Sequence, residues 1–239
     1  MRPIIREDER DLKKQTLAGD GCWRWTAEEI YREHNAQVSF IEHAPGNTIA
    51  PHTHTVDEVM LILDGGLKVP GYSEEMGPGS ILFLGAHTAY GLDIGEQGVR
   101  WLMVRPRRPD IEIDQTDYKE GPPATPGHGR GQLLTSAEVE RLPWAAVKGA
   151  GGLEERAVVA DERYPKVSFY RIAADSVARF TAPDRPQYLY VADGALEIGG
   201  QTCHRGAIVS IRPGTEYTIA GAGAGVAGEC WMVEEAATA

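Results

Sequence analysis

Two histidines and a glutamate stand close together in the segment Gly46-Asn-Thr-Ile-Ala-Pro-His52-Thr-His54-Thr-Val-Asp-Glu58-Val-Met-Leu-Ile-Leu-Asp-Gly65. Side chains alternate between the two faces of a β-strand, so residues of one parity share a face. His52, His54 and Glu58 have one parity, and an unbulged strand would aim all three at one point. Two imidazoles and a carboxylate that leave coordination positions open suit a first-row divalent metal, non-haem iron above all. Such ligands bind as neutral rings and an ionised carboxylate, so acid should release the metal. The ordinary alternative for a His-x-His pair on a strand is a surface or hydrogen-bonded pair.

The spacing resembles the first motif of the cupin superfamily: Gly46, five residues, His52-Thr-His54, three residues, Glu58, six residues, Gly65. A second segment, Gly79-Ser-Ile-Leu-Phe-Leu-Gly85-Ala-His87-Thr-Ala-Tyr90, resembles the second motif with three departures. The family usually has Pro at the place of Gly85, Gly at that of His87, and a metal-binding His at that of Tyr90. The resemblance implies an all-β fold of two tandem cupin (jelly-roll) barrels, a bicupin, with one divalent metal ion in the first. Fe2+ or Mn2+ fits best, and Ni2+ or Zn2+ would also be accepted. His52, His54 and Glu58 are the expected ligands, and three arrangements complete the site. Tyr90 ligates as a phenolate, His87 turns inward instead, or three protein ligands suffice and Tyr90 gives a proton to substrate. Glu58 is a ligand that could double as a base. Trp101 and Met103 share a parity on the strand after the second motif and are candidates to line the substrate cavity.

These residues need a scaffold, and the chain supplies short apolar runs bounded by Gly, Pro, Asp or Asn. Examples are residues 37–41, 59–63, 80–84 and 101–104, then 167–172, 188–191, 207–211 and 230–233. Many short strands with turn residues between them read as a sandwich or barrel. The two sets are related. Glu58 and Gly65 in the first half match Gln187 and Gly194 at an offset of 129, and Gly79 and Tyr90 match Gly206 and Tyr217 at 127. A nearly constant offset over four landmarks marks two copies of one fold. The expected division is a metal-binding barrel at 1–108, a linker rich in Gly and Pro at 109–131, and a metal-free barrel at 132–239. In the second copy the residues at the metal positions are expected to be Thr181, Pro183 and Gln187, which leaves it a structural or dimer-forming role. Two capping boxes, Thr26 to Glu29 and Thr135 to Glu138, predict short helices, each packed on the sheet that follows it. The run Arg105-Pro-Arg-Arg108 reads as the solvated edge of the linker.

Composition narrows the function. A net charge of −11 disfavours nucleic acid as a partner. No stretch is long and apolar enough for a membrane span, and the first residues have no secretory apolar core, so the cytoplasm is the expected compartment. Three separated cysteines, Cys22, Cys203 and Cys230, make neither a disulfide framework nor a cysteine zinc site. No phosphate-binding Gly-rich loop is present. The expectation is a homodimeric enzyme with a small-molecule substrate. The resemblance implies a dioxygenase acting on an enolisable or hydroxylated carbonyl or aromatic compound. An isomerase, lyase or hydrolase of the same fold, or a binding protein without turnover, are the alternatives.

Overall fold

Alternating apolar residues between turn formers become antiparallel strands here, and the computed structural model describes them over residues 15–16, 23–26, 37–106, 111–112, 131–159, 165–222 and 227–235. The described residues fall into two compact units, one ending at Arg141 and the other resuming at Leu142. The first holds β1 (Gln15–Thr16), β2 (Trp23–Thr26), β3 (Gln37–His43), β4 (Thr48–His54), β5 (Glu58–Lys68), β6 (Glu75–Met76), β7 (Ile81–Leu84), β8 (Tyr90–Arg105), β9 (Ile111–Glu112), β10 (Gly131–Leu134) and helix α1 (Ser136–Arg141). The second holds β11 (Ala145–Ala146), β12 (Leu153–Val159), β13 (Lys166–Ile172), β14 (Val177–Thr181), β15 (Gln187–Asp193), β16 (Ala195–Ile198), β17 (Gln201–His204), β18 (Ile208–Ile211), β19 (Glu216–Gly221) and β20 (Gly228–Glu234).

In the first unit the sheet order is β1-β2-β3-β8-β5-β7-β10, with β4 on β8 and β6 on β5. The long β8 serves both parts of the unit. Its start pairs with β4 (Asp93 to Thr48, Tyr90 to His52), and its end pairs with β3 and β5 on either side. The second unit has the order β11-β12-β13-β20-β15-β18 in one sheet and β14-β19-β16-β17 in the other. The run β3-β8-β5-β7 thus has its counterpart in β13-β20-β15-β18.

The duplication extends to the irregularities. The register slips between Ile62 and Asp64 in β5, and between Val191 and Asp193 in β15. After each slip stands a left-handed glycine, Gly65 at φ 67° and Gly194 at φ 66°. A Cβ on Gly65 would collide with the carbonyl of Gly98, and one on Gly194 would lie 2.8 Å from the carbonyl of Ala227. Only glycine fits such a turn. Paired backbone bonds close the same loop in both copies: Ile62 with Ser80 and Gly79, Val191 with Ala207 and Gly206.

Parity decides the core. Ile41, Met60, Ile62, Leu82, Leu84, Tyr90, Trp101 and Met103 form one buried cluster inside the first unit. Tyr170, Leu189, Val191, Val209, Ile211, Tyr217 and Met232 form the corresponding cluster inside the second. Burial of each large apolar side chain contributes about 1.5–3 kcal/mol.

Two expectations need correction. The first unit extends beyond residue 131, because β10 pairs with β7 in full register from Gly131–Leu84 to Leu134–Ile81. Helix α1 is tied to that same unit, through residues that precede it in the chain. Its Ser136 N–H donates to Ser80 Oγ at 3.0 Å, and Glu138 accepts from Tyr72 at 3.3 Å. Its start is the expected capping box: Thr135 N–H donates to Glu138 Oε2 at 2.8 Å, and Glu138 N–H to Thr135 Oγ1 at 3.3 Å. At the other expected box, Thr26 closes β2, and residues 27–36 lie outside the described residues, as do 107–110 and 113–130, which include most of the expected linker. Among the described residues no helix is long and apolar enough to cross a membrane.

Candidate active site in the first barrel

Three strands deliver the chemistry. β4 ends on His52-Thr-His54, β5 opens with Glu58, and β8 both opens with Tyr90 and closes with Arg105. His52 lies opposite Tyr90 in the ladder. Val59 lies opposite Val104, which brings Glu58 beside Arg105. The turn of the second motif is pinned to the first. His87 N–H donates to the His54 carbonyl at 2.7 Å, and Ala86 N–H to Asp57 Oδ1 at 2.8 Å.

The polar atoms form one connected cluster. His52 Nε2 lies 3.1 Å from His54 Nε2, and His54 Nε2 lies 3.1 Å from the Tyr90 hydroxyl. Tyr90 donates to Glu58 Oε2 at 3.0 Å. Arg105 Nη2 reaches both His54 Nε2 and Glu58 Oε2 at 2.9 Å, and its Nη1 donates to Gln37 Oε1 at 3.1 Å. His54, Glu58, Tyr90, Arg105 and Gln37 are all buried. Glu58 Oε1 and Arg105 Nε are buried with no hydrogen-bond partner.

Electrostatics fix the protonation of two members. Burial alone would raise the Glu58 carboxyl, but the Arg105 guanidinium and His54 outweigh it, and Glu58 is held below the usual carboxylate range. Tyr90 goes the other way. Burial, then the adjacent Glu58 carboxylate, push its hydroxyl well above its ordinary value, so it keeps its proton.

Not every expected residue joins this cluster. His87 sits in the turn at φ 62° and is exposed, so its ring stays outside the barrel, against the expectation of an inward fourth ligand. Trp101 and Met103 do face inward but are core residues, 2% and 0% exposed. Trp101 stacks on His43 with ring centroids 4.9 Å apart. Arg105, two residues further along the same face of β8, is the one that reaches His54. The expectation of a solvated linker edge fails there, since Arg105 is 3% exposed. Its parity with Trp101 and Met103 was the available signal.

The second barrel differs in content and in count. Phe180, opposite Tyr217, takes the place that His52 has opposite Tyr90. Phe180 and Ala182, and not Thr181 and Pro183, are therefore the counterparts of the histidines. Phe180 stacks on Tyr217 with centroids 5.2 Å apart, and Ala182 is buried. Gln187 donates to Glu234 Oε2 at 2.8 Å and accepts from Tyr217 at 3.0 Å. Arg185 Nε lies 2.9 Å from Glu234 Oε1.

The donors of the first barrel fit a divalent ion in type: two imidazoles, a carboxylate with one partnerless buried oxygen, and a phenol. Their mutual spacings of 3.0–3.4 Å also suit neighbouring ligands of one ion. They are not assembled around a vacant point. Among the described residues no three His, Cys, Asp or Glu side chains form a group that could hold a metal ion. Arg105 Nη2 bridges His54 Nε2 and Glu58 Oε2.

The duplicated sheet order, matched bulges and antiparallel strands define the architecture, and solved structures share it. The oxalate decarboxylase of Lactobacillus farciminis, in a formate complex, superposes with a TM-score of 0.72 over 100% of this chain and 87% of its own, at 10% identity. This is the cupin fold. The Bacillus subtilis oxalate decarboxylase at pH 4.6 gives a TM-score of 0.69 at 11% identity, over 98% of this chain and 76% of its own. A Bacillus subtilis structure described for its Mn(II) centres gives 0.68 at 11% identity, over 99% and 78%. Such identities carry the cupin fold and nothing finer. No family model matches the sequence, and neither does any curated protein.

Proposed function

We propose that the chain is a metal-dependent cupin enzyme, built as a bicupin, that transforms a small enolisable or hydroxylated carbonyl compound in its first barrel. The observation that carries this reading is the convergence of half-buried His52 with buried His54, Glu58 and Tyr90, with Glu58 Oε1 left partnerless. His52, His54 and Glu58 would hold the ion. When bound, a divalent metal supplies Lewis-acid polarisation of a substrate oxygen or, as iron, access to dioxygen chemistry.

The chain's own residues do the remaining work. Tyr90 donates its hydroxyl to Glu58 Oε2 and, without metal, keeps its proton, so it is placed to serve as a proton donor. The apolar wall of Met60, Leu84 and Met103 excludes water around it. Arg105 supplies a permanent positive charge close to any bound substrate.

The decarboxylase neighbours lend support to a redox-neutral lyase. The dioxygenase reaction implied by the motif resemblance is the competing arm of the test. Purified protein is analysed for metal, chelated, and reloaded separately with Mn2+, Fe2+, Ni2+ and Zn2+. Each form is then assayed on a panel of small hydroxy, keto and dicarboxylic acids, with dioxygen uptake followed in parallel. Metal-dependent turnover without oxygen uptake supports the redox-neutral class, and stoichiometric oxygen uptake with iron alone supports the dioxygenase. Turnover that survives complete chelation overturns the metal-dependent reading.

A further inference from the structure

The Arg105 guanidinium stands where a cation is wanted. Its Nη2 lies 2.9 Å from both His54 Nε2 and Glu58 Oε2, two of the atoms a metal would use, while its Nη1 is held by Gln37. Glu58 and Arg105 are among the most deeply buried charged residues described, at 1% and 3% exposure. A buried carboxylate without a counter-charge is costly, so the metal-free barrel needs this guanidinium. Once a divalent ion sits on the same atoms, the guanidinium loses both partners and faces a like charge. The two cations are alternatives.

We propose that Arg105 is a tethered cation which divalent metal must displace from Glu58 and His54, so that metal uptake is an exchange of cations within the site. This rests on the metal-dependent reading above. Gln37 is the hinge of the exchange. It anchors one end of the guanidinium from β3, so the displaced group stays near the site. Neutralisation is maintained at every stage: Glu58 is paired with Arg105 before uptake and with the metal after it. The metal-free protein therefore remains folded, and apparent metal affinity is lowered by the fraction of molecules in which the guanidinium still holds the ligands.

The second barrel shows what the same scaffold does without the exchange. There the residue in the place of Arg105 is Glu234, that of Glu58 is Gln187, and the pair closes as an amide on a carboxylate. Arg185, from outside the pair, serves Glu234. That barrel has a fixed set of partners and no histidine at the positions of His52 and His54.

The test measures metal binding directly, by titration calorimetry with Mn2+ and Zn2+ on chelated full-length protein, in the wild type and in R105M. If the guanidinium-free state is a minor one, removing the competitor tightens apparent affinity by about tenfold to a hundredfold. Unchanged or weaker affinity in R105M overturns the proposal while leaving the metal site intact. Absence of metal binding in both proteins removes the proposal and the metal-dependent reading together. Should R105M fail to fold, the wild type gives the answer alone. Stoichiometric Zn2+ is added to 15N-labelled protein and the Arg105 side-chain resonance is followed. A shift that saturates at one equivalent supports displacement. A resonance that stays in place while zinc binds overturns it.

Discussion

Tyr90 and Tyr217 make the same bond in the two barrels, each donating its hydroxyl at 3.0 Å to the side chain that opens the facing strand, Glu58 Oε2 in one and Gln187 Oε1 in the other. What differs is the charge placed beyond that bond. Glu58 meets Arg105 on the end of β8, and Gln187 meets Glu234 on the end of β20. Duplication has kept the tyrosine, the bulge and the turn glycines, and has exchanged the charged pair. In the first barrel the exchange goes with two histidines on the neighbouring strand, and in the second with Phe180 and Ala182.

The Glu58–Arg105 pair should show strong energetic coupling in the metal-free protein. Removing either charge leaves the other buried alone, so E58Q and R105M should each lose about 3–5 kcal/mol of stability. The double variant E58Q/R105M removes both charges and should recover to within about 1–2 kcal/mol of wild type. Denaturant unfolding of chelated protein, followed by a probe in the first barrel, measures all four. Additive losses would show that the two side chains do not depend on each other.

The role of Tyr90 separates by what the protein loses with the hydroxyl. As a proton donor that does not ligate, Y90F should keep its metal stoichiometry while kcat falls by about 10²–10⁴-fold. As a ligand, Y90F should lose metal in equilibrium dialysis. Metal analysis and steady-state kinetics on one preparation distinguish the two, and a variant with full metal and full activity would remove Tyr90 from the chemistry.

Much of this arrangement is legible in the sequence because period-two patterning and glycine landmarks are local. The parity of His52, His54 and Glu58, and the offsets that relate Gly65 to Gly194, need only strand geometry. Arg105 was not legible in its local context, where Arg105-Pro-Arg-Arg108 has the look of a charged linker edge. Its role depends on β8 continuing straight through Trp101 and Met103, so that a third residue of the same parity enters the site. The second barrel hid a different feature. Four residues stand between Ala182 and Gln187, where three stand between His54 and Glu58. Counting back from Gln187 therefore lands on Thr181 and Pro183, one residue from the true counterparts, and a one-residue slip exchanges the two faces of a strand.

The described cysteines should be silent in the native protein. Cys203 and Cys230 are buried, and the Cys203 thiol donates to the Gln201 carbonyl at 3.3 Å. Burial, aided by the neighbouring Cys203 and Glu229, pushes the Cys230 thiol up to about 12, so almost no thiolate is present at neutral pH. Site-resolved mass spectrometry after brief alkylation at pH 8 should find both unmodified, and both modified in denaturant. Rapid native alkylation of Cys230 would mean that β20 opens far more readily than its central place in the sheet allows.

The pH dependence of stability should carry a signature from the last described residue. Burial lifts the Glu235 carboxyl to about 7, against the weaker opposing effect of its hydrogen bond from Tyr188. The folded chain then holds a proton on Glu235 that the unfolded chain has released between its ordinary value of 4.5 and about 7. The folded state binds more protons in that window, so stability falls as pH rises through it and levels off above it. Glu229, also raised by burial and by Asp193, acts in the same direction. E235Q removes one of the two groups. Its stability relative to wild type should therefore increase from pH 5 to pH 8, as read from paired unfolding curves of the second unit. A difference that stays constant over that range would show that Glu235 titrates alike in the folded and unfolded chains.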